Sequence, residues 1–86
     1  MTARPANIAV IPARNEAATV ARVVRAVREF VPAVLVVDDA SSDETARRAA
    51  DAGAQVLTLN EHAGNSAALS AGYRWALERG CQAVVT

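Results

Sequence analysis

The chain has 86 residues, 52% of them hydrophobic and 21% charged, which fits one small globular domain and excludes a disordered chain. Nine basic and nine acidic residues cancel, so the basic excess that a non-specific nucleic-acid binder uses to release counterions is missing. The single cysteine, Cys81, excludes an internal disulfide and a multi-cysteine metal site.

Asn7-Ile-Ala-Val-Ile-Pro12 is a short apolar run with β-branched residues, and it predicts a buried strand. Ala17 to Phe30 predicts a helix, because Val20, Val23, Val24, Val27 and Phe30 or Val31 recur at helical spacing. Pro32 stops it. Arg22, Arg25 and Arg28 lie off that stripe and read as a solvated face. Ala33 to Asp38 predicts a second buried strand. Ser41 and Glu44 match a capping box, and Asp43 and Glu44 suit the positive end of a helix dipole. That helix is expected to run to about Ala52, with Gly53 as its C-terminal cap. Gln55 to Leu59 predicts a third strand. Ser66 to Arg79 predicts a third helix, with Leu69, Tyr73, Ala76 and Leu77 inward and Gly80 at its end. Ala83 to Thr86 begins a fourth strand.

This β-α-β-α-β-α-β alternation has no linker or repeat. Short parallel strands joined by right-handed helical crossovers predict an α/β fold. The expected form is a three-layer, mostly parallel, Rossmann-like sheet in the order 3-2-1-4. No apolar run approaches the ~20 residues of a membrane span. The N-terminal residues carry no signal-peptide stretch. The resulting expectation is a soluble, cytoplasmic chain.

Ligands of open parallel sheets bind outside the carboxyl ends of the strands. The loops entering strands, at 30–33, 52–54 and 80–82, are bland. The loops leaving strands are Pro12-Ala-Arg-Asn-Glu16, Asp38-Asp-Ala-Ser-Ser42 and Asn60-Glu-His-Ala-Gly64. These are dense in polar and charged groups, so a polar ligand site is expected at that edge. The first of them has no glycine, which excludes the dinucleotide fingerprint, and the chain has no lysine for a P-loop. Asp38, Asp39 and Glu16 are acceptors that suit ring N–H groups and sugar hydroxyls. They would repel phosphate unless a divalent cation or Arg14 intervened. A nucleotide held by base and ribose fits this chemistry.

The stretch Val10-Ile-Pro-Ala-Arg-Asn-Glu16, then Val36-Val-Asp-Asp-Ala-Ser-Ser-Asp-Glu-Thr45, then Gly64-Asn-Ser-Ala-Ala68 with Gly72, resembles the N-terminal part of family 2 glycosyltransferases. The resemblance covers almost the whole chain. It implies the GT-A fold and a nucleotide-diphosphate sugar donor of UDP or GDP type. By position it implies that Pro12 and Ala13 line the nucleotide pocket and that Glu16 approaches the ribose. Asp39 would accept the ring N–H of the base, and Asp38 would support that site. Gly64, Asn65 and Ser66 would cover the diphosphate side. Two departures from the family pattern are Ala40 and Glu44, each where glycine is common. Asn65 and Ser66, with Leu69 and Ser70, replace the cationic residues that many relatives place near phosphate.

The family's metal-binding Asp-x-Asp motif follows the fourth strand, and its catalytic base comes later still. Residues 1–86 are therefore expected to be the N-terminal nucleotide-binding portion of a GT-A domain, with no catalytic residue of their own. The resemblance implies Mg²⁺ or Mn²⁺ for the complete enzyme, with ligands outside these residues, and a lipid-phosphate or glycan acceptor. It also admits a location at the inner face of the membrane. The alternative is a catalytically inactive module whose exposed fourth-strand edge pairs with a second copy or another chain. A sugar nucleotidyltransferase shares the layered fold, but its Gly-rich first loop with Arg and Lys is missing.

Several residues also have bland readings. Asp38 and Asp39 could end a strand, Glu16 could be an ordinary helix-start acid, and Arg14 reads equally as solvated. Asn65 and Ser66 could cap the third helix. His62 reads as a surface loop residue, Cys81 as a packed small residue, and Trp75 as a packing residue.

Overall fold

Two strands with apolar side chains on both faces organise the molecule. The computed structural model describes residues 7–85, with side chains through Ala83. Its central strands are β1 (Asn7–Ala13) and β2 (Val34–Asp38), and every β2 residue is buried. β3 (Gln55–Thr58) flanks β2, and β4 (Gln82–Val85) flanks β1. All pairings are parallel and the order is β3-β2-β1-β4. The connecting helices are α1 (Val20–Arg28), α2 (Thr45–Asp51) and α3 (Asn65–Glu78). The α/β class and the strand order are those expected from the sequence. Thr86, expected in the fourth strand, lies outside the described residues.

Side-chain alternation along the strands divides the core into two layers. Ala9, Ile11, Ala13, Val34 and Val36 pack with Val20, Val24, Ala49 and Ala52 of the α1 and α2 layer. Ile8, Val10, Leu35 and Val37 pack with Ala68, Ala76 and Cys81 on the α3 side. The chain steps from β1 to β2 to β3 in one direction, then returns past both to reach β4. Right-handed crossovers in opposite directions pass over opposite faces, so α3 lies alone on its side.

α3 comes close to the sheet because its inward residues are small. Ala68, Gly72 and Ala76 are its buried residues, four apart. A Cβ on Gly72 would stand 2.5 Å from Val10 Cγ1 and 3.0 Å from Val37 Cγ2. Leu69, Tyr73 and Trp75 pack beside this stripe, and Ala76 lies within it. Leu77, expected inward, is instead 72% exposed, because it sits one residue round from the small-residue stripe. On α1 the working stripe is Val20, Val24 and Val27, with Val31 behind it. Val23 and Phe30 turn outward, and Phe30 is 85% exposed because α1 already ends at Arg28.

The helix starts differ from expectation. α1 begins at Val20, after a turn at 17–19. α2 begins at Thr45 with no side-chain cap, so the Ser41–Glu44 capping box does not form. Ser41 and Asp43 are committed to the neighbouring loop instead. The glycine-capped ends of α2 and α3 follow expectation. Gly53 and Gly80 adopt positive φ just past α2 and α3. Gly53 and Ala54 donate back to Ala50 and Ala49, and Gly80 and Cys81 donate back to Leu77 and Ala76. This paired closure places one residue in left-handed backbone, where glycine carries no Cβ penalty. Arg28 is more than a solvated residue, since its Nη1 donates to the Ala52 carbonyl at 3.3 Å and secures the same cap.

Candidate functional site

The two central strands end level with one another, and this sets the site. Ala13 and Asp38 are register partners at the carboxyl edge. The Asp39 amide then donates to the Ala13 carbonyl at 2.9 Å, and the Leu59 amide donates to the Asp38 carbonyl at 2.9 Å. The loops leaving β1, β2 and β3 therefore start side by side.

Asp38 and Asp39 are both buried. Asp38 Oδ1 accepts the Ser41 amide at 3.1 Å and shapes the turn after β2. Asp39 reaches the β3–α3 loop. Its Oδ1 accepts the Ala63 amide at 2.8 Å, and its Oδ2 accepts the Gly64 amide at 2.9 Å. His62 Nε2 lies 3.4 Å from Asp39 Oδ2. The Ala63 amide is the largest influence holding the Asp39 carboxyl below the usual aspartate range; burial opposes it, and Gly64, His62 and Arg14 assist. A carboxylate oxygen has two lone pairs, and Oδ1 is engaged by one amide only, so Asp39 has acceptor capacity beyond its hold on the loop.

A second network joins the β1–α1 and β2–α2 loops. The amides of Asn15, Glu16 and Ala17 donate in turn to Ser41 Oγ at 2.8 Å, Thr45 Oγ1 at 2.8 Å and Asp43 Oδ2 at 3.2 Å. Asn15 Oδ1 returns the link by accepting the Ser42 amide at 2.8 Å. The Thr45 amide and hydroxyl both donate to Asp43 Oδ1. The Thr45 hydroxyl is the largest influence lowering the Asp43 carboxyl, against the opposing effect of burial. Sequence reading singled out none of these residues as a loop-to-loop tie. Their signal was the density of Asn, Ser, Asp and Thr in two loops that end adjacent strands.

The expected site residues fall as follows. Pro12 and Ala13 form the end of β1, with Ala13 buried. Arg14 and Glu16 are exposed just beyond it, Glu16 fixed through its amide. Gly64 is the N-cap residue of α3 and is bonded to Asp39. Asn65 and Ser66 are exposed in the first turn of α3, which has no side-chain cap bond, so the capping reading of these two is corrected. His62 is exposed as expected, but its ring also faces Asp39. Among the described residues no three His, Cys, Asp or Glu side chains converge in a way that could hold a metal ion. The described residues alone do not fit a divalent-cation site. The arrangement offers buried acceptors, with Arg14 as the cation whose charge reaches Asp39. Among the described residues no helix is long and apolar enough to cross a membrane.

Comparisons with known proteins agree with the fold. The undecaprenyl-phosphate mannosyltransferase of Micrococcus luteus is 39% identical over 85 residues, which cover 91% of this chain and 35% of that protein. Glucosyl-3-phosphoglycerate synthase of M. tuberculosis, as a crystal structure, matches with a TM-score of 0.68 at 28% identity, covering 79% of this chain and 29% of that one. A crystal structure of that synthase with Mn²⁺, UDP and glucosyl-3-phosphoglycerate gives a TM-score of 0.70 at 24% identity. It covers 94% of this chain and 33% of the synthase, and at that identity the likeness concerns the fold alone. The chain thus spans about a third of the length of these relatives. The family model of glycosyl transferase family 2 matches residues 8–85, nearly the whole chain, and the chain belongs to that family.

Proposed function

We propose that this chain is the nucleotide-sugar-binding portion of a glycosyltransferase, and that its ligand is a UDP- or GDP-type sugar donor. The observation that carries this reading is the Asp39 clamp. A buried carboxylate ties the end of β2 to the start of α3 at the edge where parallel sheets bind ligands. Its free lone pairs are acceptors for a ring N–H, and Asp38 braces the turn beneath. Glu16 is placed for ribose hydroxyls. Pro12 and Ala13 supply the pocket wall, and Gly64, Asn65 and Ser66 lie on the diphosphate side.

In the complete enzyme the sugar would pass to a lipid phosphate or a glycan. The Micrococcus relative, by its name, acts on a polyprenyl phosphate, which favours the lipid class and a place at the inner face of the membrane. The family also implies a divalent cation for the complete enzyme, with ligands outside the described residues.

Calorimetric titration of the chain with UDP and with GDP tests this. Saturable binding of one nucleotide, weakened about tenfold or more in Asp39→Asn, is expected from the loss of a charged acceptor. Binding unchanged by that substitution contradicts the base-recognition role.

A second reading, a catalytically inactive module that self-associates, is favoured by one observation. Among the described residues β4 pairs with β1 on one side only and forms the sheet edge. Light scattering at high concentration separates the two, since a clean monomer counts against pairing through that edge.

A further inference from the structure

Three consecutive amides of the β1–α1 loop are satisfied by two side chains of the β2–α2 loop, Ser41 and Asp43, and by Thr45 at the start of α2. Successive N–H groups in a loop of this kind can form an anion-binding concavity. Here that role is taken by the chain itself, and one of the acceptors is the Asp43 carboxylate. A phosphate approaching these amides meets a negative charge already in place. The amides of Asn15, Glu16 and Ala17 are thus taken up within the protein, while Arg14 and Glu16 stay exposed.

Thr45 is the centre of this arrangement. It is fully buried, its Oγ1 accepts the Glu16 amide, and its hydroxyl donates to Asp43. Asp43 in turn holds the Ala17 amide, and Arg48 Nη1 donates to the Ala17 carbonyl at 3.3 Å. Each end of the loop is fixed as well: Ala13 belongs to β1, and Glu16 accepts the Val20 amide at 2.8 Å. The loop is thus fastened to the base of α2 before any ligand arrives. Preformed loops bind more tightly because less ordering remains to be done on binding.

We propose that Thr45, with Asp43 and Ser41, is a positioning residue of the donor site, acting through the Glu16 backbone without touching the nucleotide. This rests on the donor-binding reading above. The test compares Thr45→Val, which keeps the shape and removes the hydroxyl, with Thr45→Ser, which keeps the hydroxyl. Ser41→Ala loosens the same loop at a less buried position and carries the test if Thr45→Val does not fold. Val24→Ala serves as a destabilised comparison away from the loop network. UDP and GDP are titrated into each chain by calorimetry, with the folded fraction measured by thermal unfolding.

Thr45→Val should weaken the nucleotide about tenfold and Ser41→Ala about threefold, with Thr45→Ser close to the parent. The folded fraction of Val24→Ala should retain the parent affinity. If the parent binds and both Thr45→Val and Ser41→Ala bind equally well, the positioning role is overturned while the donor reading stands. If the parent binds neither nucleotide, the donor reading falls and takes the positioning role with it.

Discussion

Asp39 holds Gly64. The carboxylate accepts that amide at 2.9 Å across 25 residues of chain, and so joins the end of β2 to the start of α3. Asp43 does the equivalent for the first loop through Ala17. Both carboxyls sit below the ordinary aspartate range in the folded chain, Asp39 chiefly through the Ala63 amide and Asp43 chiefly through the Thr45 hydroxyl. A carboxyl whose folded value is depressed stabilises the fold above its unfolded value and loses that contribution as pH falls through the folded value. The thermal midpoint should therefore hold steady down to about pH 5 and drop below about pH 4, where aspartates protonate. Asp43→Asn should make that acid limb shallower, as followed by circular dichroism. An unchanged limb contradicts the assignment.

Ala40 occupies left-handed backbone at φ 58°, where a Cβ is unfavourable. Its amide donates to the Asp38 carbonyl at 2.9 Å, which closes the tight turn after β2. Ala40→Gly should raise stability by about 1 kcal/mol, the cost of holding a non-glycine residue in that region. Chemical denaturation measures it, and a loss of stability would show that the turn carries no such strain.

Gly72 is required by contact rather than by backbone angle. Its absent Cβ would fall 2.5 Å from Val10 Cγ1. Gly72→Ala gains helix propensity but overpacks the α3 layer, and the overpacking, about 1–3 kcal/mol, should win. A lower unfolding midpoint is expected. A rise would mean that α3 can lift from the sheet at little cost.

Leu35 and Phe30 should respond very unequally although both are large apolar residues. Leu35 is fully buried beside Val10 and under α3, whereas Phe30 is 85% exposed. Leu35→Ala should cost about 2–5 kcal/mol, a large part of the stability of so small a domain. Phe30→Ser should change stability by no more than about 0.5 kcal/mol. Paired denaturant titrations check both.

The layered fold was legible because the strands are short apolar runs and the loops after them are polar. Gly53 and Gly80 marked helix ends correctly, since their role depends only on local backbone. The capping box at Ser41 and Glu44 misled because a neighbouring strand brings Asn15 and Ala17 within reach of Ser41 and Asp43. Local pattern cannot register a competing N–H donor 26 residues away. Leu77 misled for a related reason. Its helix is placed by the small residues Ala68, Gly72 and Ala76, and hydrophobicity alone does not reveal that closeness outweighs apolar bulk. The acidic pair was legible as a ligand-edge feature, but the clamp from Asp39 to the third loop was not.

The most direct test of donor binding at the carboxyl edge is an amide-resolved NMR titration of the chain with UDP and with GDP. The expected result is a saturable shift of the Arg14, Glu16, Asp39, Ala63 and Gly64 amides with one of the two nucleotides. Shifts confined to the opposite edge, at 30–33, 52–54 and 80–82, or no shift with either nucleotide, would contradict it.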